Sequence, residues 1–220
     1  MSPRFLYLHG FASSPTSKKA TAFERHYAPR GVALDRLDLR VPAFPDLRLS
    51  TMIEVTREAI GGERDRAVVI GSSLGGLTAT RTAERDPRVA ALVLMAPAFQ
   101  LAQRWHAQLG EDAWATWQRT NALEVTDRTT GKPANVPFDF MTDVLSIDQD
   151  FPDIRVPTLI VHGVNDDVVP VDHSRRFAAG KRHVRLVEVR DDHELRASIP
   201  RILAEADNFF APLLNSSIGA

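Results

Sequence analysis

The chain has 220 residues, no cysteine and a formal net charge of −1 at pH 7. The lack of cysteine excludes a disulfide framework, a thiolate zinc site and a cysteine nucleophile. Balanced charge and 44% hydrophobic residues are typical of one globular domain. We therefore expect neither a nucleic-acid partner nor membrane association. We expect a cytoplasmic location. The oligomeric state stays open.

Short apolar runs alternate along the chain with amphipathic segments. The apolar runs predict fully buried strands at 5–8, 68–70, 91–95 and 158–161. The run at 184–189 alternates with charged residues, as in a less covered strand, and 32–39 is a further candidate strand. The amphipathic segments predict helices at 18–27, 50–60, 77–85, 174–179 and 200–210. This alternation predicts an α/β fold, a mostly parallel sheet with helices on both faces. Right-handed crossovers would then place the carboxyl ends of the strands, and any site, at one edge.

The stretch from about residue 100 to residue 150 interrupts the alternation. It contains all three tryptophans and a turn-rich segment at 129–133. A structureless loop of that length is unusual in a compact domain. We therefore interpret residues 99–150 as a small, mostly helical lid insertion, and residues 1–98 and 151–220 as the core. The tail at 215–220 is expected to fray.

The segment Gly71-Ser72-Ser73-Leu74-Gly75 fits the pattern G-x-S-x-G between a predicted strand and a predicted helix. In that context the central serine stands on a sharp turn with its oxygen above the sheet edge. Ser73 is therefore the predicted nucleophile, while Ser72 should point away. A plain connecting turn is the alternative. A phosphate-binding loop is disfavoured because no Gly-Lys-Ser/Thr ending is present.

A serine nucleophile needs a base, and the base needs an acid that orients it. In this architecture the chain order is serine, acid, histidine. Of seven histidines, only His193 directly follows the last predicted strand at the catalytic edge. The acid should follow the strand at 158–161, where Asp166 is favoured and Asp167 is its rival.

Acyl transfer also needs hydrogen-bond donors for the developing oxyanion. The Leu74 N–H at the start of the helix is one predicted donor. The loop after the first strand should supply the other, the Phe11 N–H, because Gly10 allows the backbone a close approach. We expect His9 to support this loop rather than to exchange a proton with substrate.

These separated motifs together resemble the α/β-hydrolase family, and the opening at 7–15 is most similar to the small bacterial YqiA-like esterases. The resemblance implies a Ser-Asp-His triad, backbone oxyanion donors, a covalent acyl-enzyme and no cofactor or metal. Two departures stand out. The family's first two strands are missing, which predicts a reduced sheet of about six strands. Asp192 stands where many relatives have glycine.

The function predicted from these residues is hydrolysis of small or medium acyl esters, with a small-molecule acyl substrate as the only expected partner. An acyl-thioesterase, a C–C bond hydrolase and a non-catalytic ligand-binding homologue stay open as alternatives. The lid is expected to cover Ser73. Phe138, Phe140 and Met141 are the predicted acyl-pocket residues, because the chain there turns back toward the strand at 158–161. Packing of the lid onto the body is the alternative role for its apolar face.

Overall fold

A computed structural model describes residues 3–215 of the chain, and the side chains of these residues up to 212. The tail for which fraying is expected therefore lies, beyond Asn215, outside the described residues. The strands are β1 (Arg4–Leu8), β2 (Leu34–Leu37), β3 (Ala67–Ser72), β4 (Val89–Met95), β5 (Leu123–Thr126), β6 (Pro133–Val136), β7 (Thr158–Gly163) and β8 (Val184–Val189). The helices are α1 (Lys18–Tyr27), α2 (Leu49–Ile60), α3 (Leu74–Arg85), α4 (Leu101–Thr120), α5 (Phe138–Ile147), α6 (Asp172–Ala178) and α7 (Ile199–Asn215).

The main sheet has six strands in the order β2-β1-β3-β4-β7-β8, and every neighbouring pair is parallel. The predicted fold class is therefore confirmed, including the reduced number of strands. Each strand is joined to the next through a helical crossover, so the carboxyl ends of all six strands lie at one edge. The register pairs Leu8 with Gly71 and Ser72 with Met95 at that edge.

The core lies in two layers, one on each face of the sheet. Successive strand residues point to opposite faces, so Leu6 and Leu8 join a cluster with α2, α3 and α6, while Phe5 and Tyr7 join a cluster with α1 and α7. All of β3 is buried, as expected for a central parallel strand covered on both sides. Each fully buried large apolar side chain stabilises the fold by about 1.5–3 kcal/mol.

Two helix boundaries differ clearly from the sequence expectation: α7 ends at Asn215 rather than at residue 210, and α3 starts earlier, at the serine turn. Helix α3 begins at Leu74, whereas the apolar periodicity predicts a start at residue 77. Gly75 and Gly76 have no apolar side chain, so the first turn of the helix gives no periodic signal. Helix α1 matches the expectation, and the Ser17 side chain caps it by accepting a hydrogen bond from the Ala20 N–H at 3.3 Å.

The insertion contains a β-hairpin that the expectation of a mostly helical segment missed. Strands β5 and β6 pair antiparallel between α4 and α5. The Asp127 carboxylate holds the connecting turn by accepting from the Thr129 N–H at 2.8 Å. With four residues each and only partial burial, the two strands are too short for a clear alternating pattern in the sequence.

The insertion packs firmly onto the body of the domain. Trp117 is 1% exposed, and its indole N–H donates to the Val136 carbonyl at 2.8 Å. Phe138, Phe140 and Met141 are buried in the same cluster as the side chains of α2 and α3. Much of the apolar surface of the insertion therefore serves to attach it.

A buried ion pair also joins the insertion to α3, and it provides a test of this attachment. Arg81 donates to the Asp148 carboxylate at 2.8 Å, and the other oxygen of that carboxylate accepts from the Leu101 N–H at 3.1 Å. We expect Asp148→Ala to lower the free energy of unfolding by about 1–3 kcal/mol, because it removes the buried carboxylate from Arg81, which keeps only the Glu84 carboxylate at 2.9 Å, and it leaves the Leu101 N–H without its acceptor. Urea unfolding measures this change.

The matched control is Asp153→Ala, which removes an exposed carboxylate and should change the stability by less than about 0.5 kcal/mol. Replacing both partners, as in Arg81→Met with Asp148→Leu, should cost much less than Asp148→Ala alone. Equal losses for Asp148→Ala and Asp153→Ala would show that the pair does not anchor the insertion.

Candidate active site

Ser73 lies at the apex of the tight turn between β3 and α3. Its backbone has φ 52° and ψ −116°, a strained conformation for a residue with a side chain. A Cβ atom on Gly71 would overlap the backbone of Gly75, and a Cβ atom on Gly75 would overlap the carbonyl of Leu8. The two glycines of the pattern are therefore needed because the chain segments approach so closely there.

The structure brings together Ser73, His193 and Asp166 from the loops that follow β3, β8 and β7. The Ser73 Oγ lies 3.0 Å from His193 Nε2, and His193 Nδ1 lies 2.7 Å from Asp166 Oδ2. Since an ionised carboxylate can only accept, Nδ1 carries the ring hydrogen. Nε2 is then free to accept from the Ser73 hydroxyl, which is the arrangement that a serine nucleophile requires.

The Asp166 side chain is fully buried and strongly hydrogen-bonded. Its Oδ1 accepts from the backbone N–H groups of Val168 at 3.0 Å and Val169 at 2.7 Å. Burial alone would raise the pKa of Asp166, but the hydrogen bonds from His162 and His193 outweigh it and hold the pKa below its usual range. Asp167, the rival in the sequence, is exposed and bonds to neither histidine.

His162 is a functional candidate that the sequence reasoning missed. Its ring is fully buried, with Nε2 3.1 Å from Asp166 Oδ2 and 2.8 Å from the Val169 carbonyl. Both partners accept, so Nε2 carries the hydrogen and Nδ1 accepts from the Ser174 hydroxyl at 2.7 Å. The His162-Gly163 pair was visible in the sequence, but chain order only excluded this histidine as the base and gave no sign of its contact with the acid.

We expect His162→Leu to lower kcat several-fold to tenfold with a smaller change in KM, because His162 positions the acid and does not touch substrate. Removing this donor leaves more of the Asp166 charge to stabilise a protonated His193. The acid limb of the kcat/KM profile should therefore move to higher pH. Steady-state kinetics at graded pH check this. An unmoved acid limb with only reduced stability would assign His162 a purely structural role.

The loop after β1 places its backbone against the serine turn. A Cβ atom on Gly10 would lie 3.3 Å from the Ser73 Cβ, so the glycine keeps this approach open. His9 supports the loop: Nδ1 donates to the Gly10 carbonyl at 2.8 Å and Nε2 accepts from the Leu39 N–H at 3.1 Å. Burial lowers the pKa of His9, which fits this neutral form.

Both predicted oxyanion donors are backbone N–H groups that make no hydrogen bond to another described residue. Among residues 3–215, the N–H groups of Phe11 and Leu74 have no hydrogen-bond acceptor. The Leu74 N–H opens α3, where the first N–H groups of a helix lack partners within the helix and the helix dipole favours negative charge. Both groups are therefore available to a bound ligand.

A pocket of about 410 Å³ opens beside Ser73 and His193. Its lining residues form two groups from different parts of the chain. The apolar half comprises Phe11, Leu74, Ala98, Leu101, Trp105 and Val168. The polar half includes Ser13, Ser14, Thr16, Ser17, Lys18, Lys19, Arg128, Thr129, Glu194 and Arg196, together with the buried Tyr7 and Ser72. Ser72 makes no hydrogen bond to His193.

The predicted pocket residues Phe138, Phe140 and Met141 are not brought to this pocket, and that expectation needs correction. All three are buried at the start of α5, whose apolar face turns toward the body. The Phe140 ring lies behind the lining, 6.2 Å from the Phe11 ring and 6.3 Å from the Trp105 ring. The insertion reaches the pocket through Leu101 and Trp105 of α4 instead.

Two other kinds of feature, a membrane-spanning helix and a metal-binding cluster, are absent from the described part of the chain. No helix within residues 3–215 is long and apolar enough to cross a membrane. Over the same residues, no group of three or more histidine or acidic side chains is placed to hold a metal ion. The arrangement at the sheet edge is thus built from a serine, two histidines, an aspartate and free backbone donors.

Several solved structures share this architecture, although no curated protein is a significant sequence match. The α/β hydrolase domain-containing protein 10 from mouse aligns with a TM-score of 0.82 and 20% identity, covering 97% of this chain and 91% of that one. A protein of Agrobacterium vitis S4, provisionally classed as a hydrolase, gives 0.81 and 25%, covering 94% and 88%. Est1E from Butyrivibrio proteoclasticus, with ferulic acid bound, gives 0.80 and 20%, covering 97% and 90%.

These alignments span nearly the whole of both chains in each pair, so they establish the α/β-hydrolase fold for the described residues. The sequence profile of one family extends over almost the same range, residues 4–211. The chain has the fold of the α/β hydrolases and belongs to the family described as Uncharacterised protein family (UPF0227).

Proposed function

We propose that this protein is a serine hydrolase that cleaves small or medium acyl esters. The observation that carries the proposal is the Ser73 Oγ at 3.0 Å from His193 Nε2, on a strained turn beside the pocket. Hydrolases and an esterase among the proteins of similar fold support the same class of reaction. The substrate partner is a small acyl ester, and no cofactor is needed.

In the proposed acylation, the Ser73 Oγ attacks the ester carbonyl carbon while its proton passes to His193 Nε2. The carbonyl oxygen becomes an oxyanion and accepts from the N–H groups of Phe11 and Leu74. Asp166 stabilises the imidazolium that forms. When the bond from the carbonyl carbon to the leaving oxygen breaks, that oxygen takes the proton from His193 Nε2, and an alcohol and an acyl-enzyme result.

In the proposed deacylation, a water molecule replaces the alcohol. It gives one proton to His193 Nε2 as its oxygen attacks the acyl carbon. The same backbone donors hold the second oxyanion. The bond between the acyl carbon and the Ser73 Oγ then breaks, the Oγ recovers its proton from His193, and a carboxylic acid leaves.

We infer that residues 99–150 act as a lid on a core formed by residues 1–98 and 151–220. Leu101 and Trp105 of this segment line the pocket beside Ser73. Arg104 attaches the segment to the opposite wall, because its Nη1 donates to the Val168 carbonyl at 2.8 Å. Such a cover excludes water from the reacting atoms and strengthens the electrostatic interactions there.

The test of the proposed activity is hydrolysis of aryl esters with graded acyl chains, together with matched thioesters. We expect turnover of the esters and covalent labelling by a fluorophosphonate probe. If the probe labels the protein but only the thioesters are turned over, the activity is that of a thioesterase. The absence of both turnover and labelling in correctly folded protein would refute the proposal.

Among lid residues, Trp105→Ala should shift the preferred acyl length, since the indole forms part of the apolar half of the pocket. A change of about 1–3 kcal/mol per altered contact is expected in kcat/KM between short and long chains. Phe140→Ala is the matched control: it lies behind the lining, so it should lower stability with a much smaller change in the length profile. If Phe140→Ala reshapes the profile and Trp105→Ala does not, the pocket is assigned to the wrong side chains.

A further inference from the structure

The polar half of the pocket has more positive than negative side chains. Lys18, Lys19, Arg128 and Arg196 contribute four cations, whereas Glu194 is the one carboxylate in its lining. Arg128 pairs with Glu194, and Arg196 lies 3.9 Å from the same carboxylate. Glu194 is therefore already engaged by two arginines.

Lys19 has no carboxylate partner of its own within the described residues. Its Nζ donates to the Glu194 backbone carbonyl at 2.9 Å, which supplies only a partial charge. Burial lowers the pKa of Lys19, and the nearby Arg128 and Arg196 act in the same direction, against Glu194 and Asp166. Lys19 is half-buried, and an anion in the pocket would relieve this imbalance, since a charge partly removed from water is stabilised by a partner of opposite charge.

A second, independent feature lies beneath the same half of the pocket. Tyr7 is 0% exposed, and its hydroxyl has no hydrogen bond of normal geometry, although the Ser17 and Ser72 hydroxyls lie near it. Burial raises the pKa of Tyr7, so the phenol keeps its proton. A buried hydroxyl without a partner is uncommon, and this one is a donor at the wall of the pocket.

The amino end of α1 completes the arrangement. Ser17 caps the helix through the Ala20 N–H, and the helix opens with Lys18 and Lys19. The positive end of the helix dipole adds to the charge of these side chains. The cations, the buried Tyr7 hydroxyl and the amino end of α1 therefore all contribute to the lining of the pocket that contains Ser73.

We propose that the polar half of the pocket binds a carboxylate or phosphate carried by the leaving alcohol of the ester. This inference rests on the proposed function. His193 must give its proton to the leaving oxygen, and Glu194 and Arg196 of the polar half lie within three residues after His193 in the chain. The acyl chain then occupies the apolar half, against Leu101 and Trp105.

Arg104 defines the competing assignment. It also lines the pocket, beside Val168, and its Nη2 is buried without a hydrogen-bond partner. It would meet an anionic group at the far end of the acyl chain instead. Substrates charged on one side or the other of the ester bond separate the two assignments.

The experiment compares butyrate esters of 4-hydroxybenzoate, 4-hydroxyphenyl phosphate and the neutral 4-hydroxybenzamide. For each variant, the readout is the ratio of kcat/KM for a charged ester to kcat/KM for the neutral ester. Because the same esters are used with every variant, differences in their intrinsic reactivity do not affect the comparison of this ratio between variants. Lys19→Met should lower this ratio about 10- to 100-fold, as expected for loss of a hydrogen bond to a charged group. Tyr7→Phe should lower it several-fold. Whichever charged ester shows the larger loss identifies the preferred anion.

Two variants serve as controls. Lys132→Met removes an equal charge from the exposed hairpin turn, away from the pocket lining, and should leave the ratio unchanged. Lys19→Arg keeps the charge and should retain most of the ratio, which separates loss of charge from faulty folding. An unchanged ratio in Lys19→Met would overturn the proposal.

An aryl hemisuccinate with a neutral leaving group tests the competing assignment. If Arg104→Met slows this ester while Lys19→Met leaves the ratios for the charged alcohols unchanged, the anion belongs to the acyl side and the proposal is wrong. Labelling by a neutral fluorophosphonate distinguishes failure of the proposed anion site from failure of the proposed hydrolase activity. Equal labelling of wild type and Lys19→Met with unchanged ratios rejects the anion site alone, whereas no labelling of either rejects the proposed hydrolase.

Discussion

Ser73→Ala is expected to lower kcat for aryl esters by about 10⁴- to 10⁶-fold and to abolish labelling by a fluorophosphonate. The reason is that the Ser73 Oγ is the hydroxyl within 3.0 Å of His193 Nε2, and without it no acyl-enzyme can form. Loss of the nucleophile in well-studied triads has effects of this size. Steady-state kinetics and intact-mass measurement after labelling check both parts.

The neighbouring serine is the matched control for this change. Ser72 is 4% exposed, lies on the side of Tyr7 and makes no hydrogen bond to His193. Ser72→Ala should therefore keep most of the labelling. Labelling that survives in Ser73→Ala and disappears in Ser72→Ala would transfer the nucleophile to the other serine.

The second large effect is expected for Asp166→Asn, which should lower kcat by about 10⁴-fold. Asp166 Oδ2 holds the Nδ1 hydrogen of His193 at 2.7 Å. An amide can present its own N–H there, which favours the wrong tautomer and leaves Nε2 unable to accept from Ser73. The loss should appear in kcat, with the fold retained by circular dichroism.

Asp167→Asn is the neighbouring control, and we expect it to change kcat by less than about threefold. Asp167 is exposed and bonds to neither histidine. The opposite ranking of the two variants would mean that Asp167 is the orienting acid in solution.

The parts of the site that could be predicted have local signals in the chain. Gly71, Ser73 and Gly75 form a five-residue pattern whose strand and helix are also visible, and the parallel topology fixes which edge the later loops reach. Order and edge together were sufficient to choose His193, and they placed the acid after β7, where Asp166 was favoured and Asp167 stayed its rival. The reduced number of strands in the main sheet followed from the family resemblance, because the family's first two strands are missing here.

The parts that were missed depend on tertiary contacts. His162 contacts Asp166 only because the loop after β7 folds back over that strand, and no periodicity encodes this. The aromatic residues of the insertion look alike in sequence, yet packing buries Phe140 in the core and leaves Trp105 at the pocket. The hairpin of β5 and β6 is too short for a pattern to reveal it.

We expect Ser73 to carry the acyl group during turnover. Acid quenching of the enzyme within the first turnover of a butyrate aryl ester, followed by peptide mapping by mass spectrometry, tests this directly. We expect a burst of aryl alcohol equal to the enzyme concentration and a butyryl group on Ser73. A butyryl group on Ser72 or elsewhere, or hydrolysis without any acyl-enzyme, would contradict it.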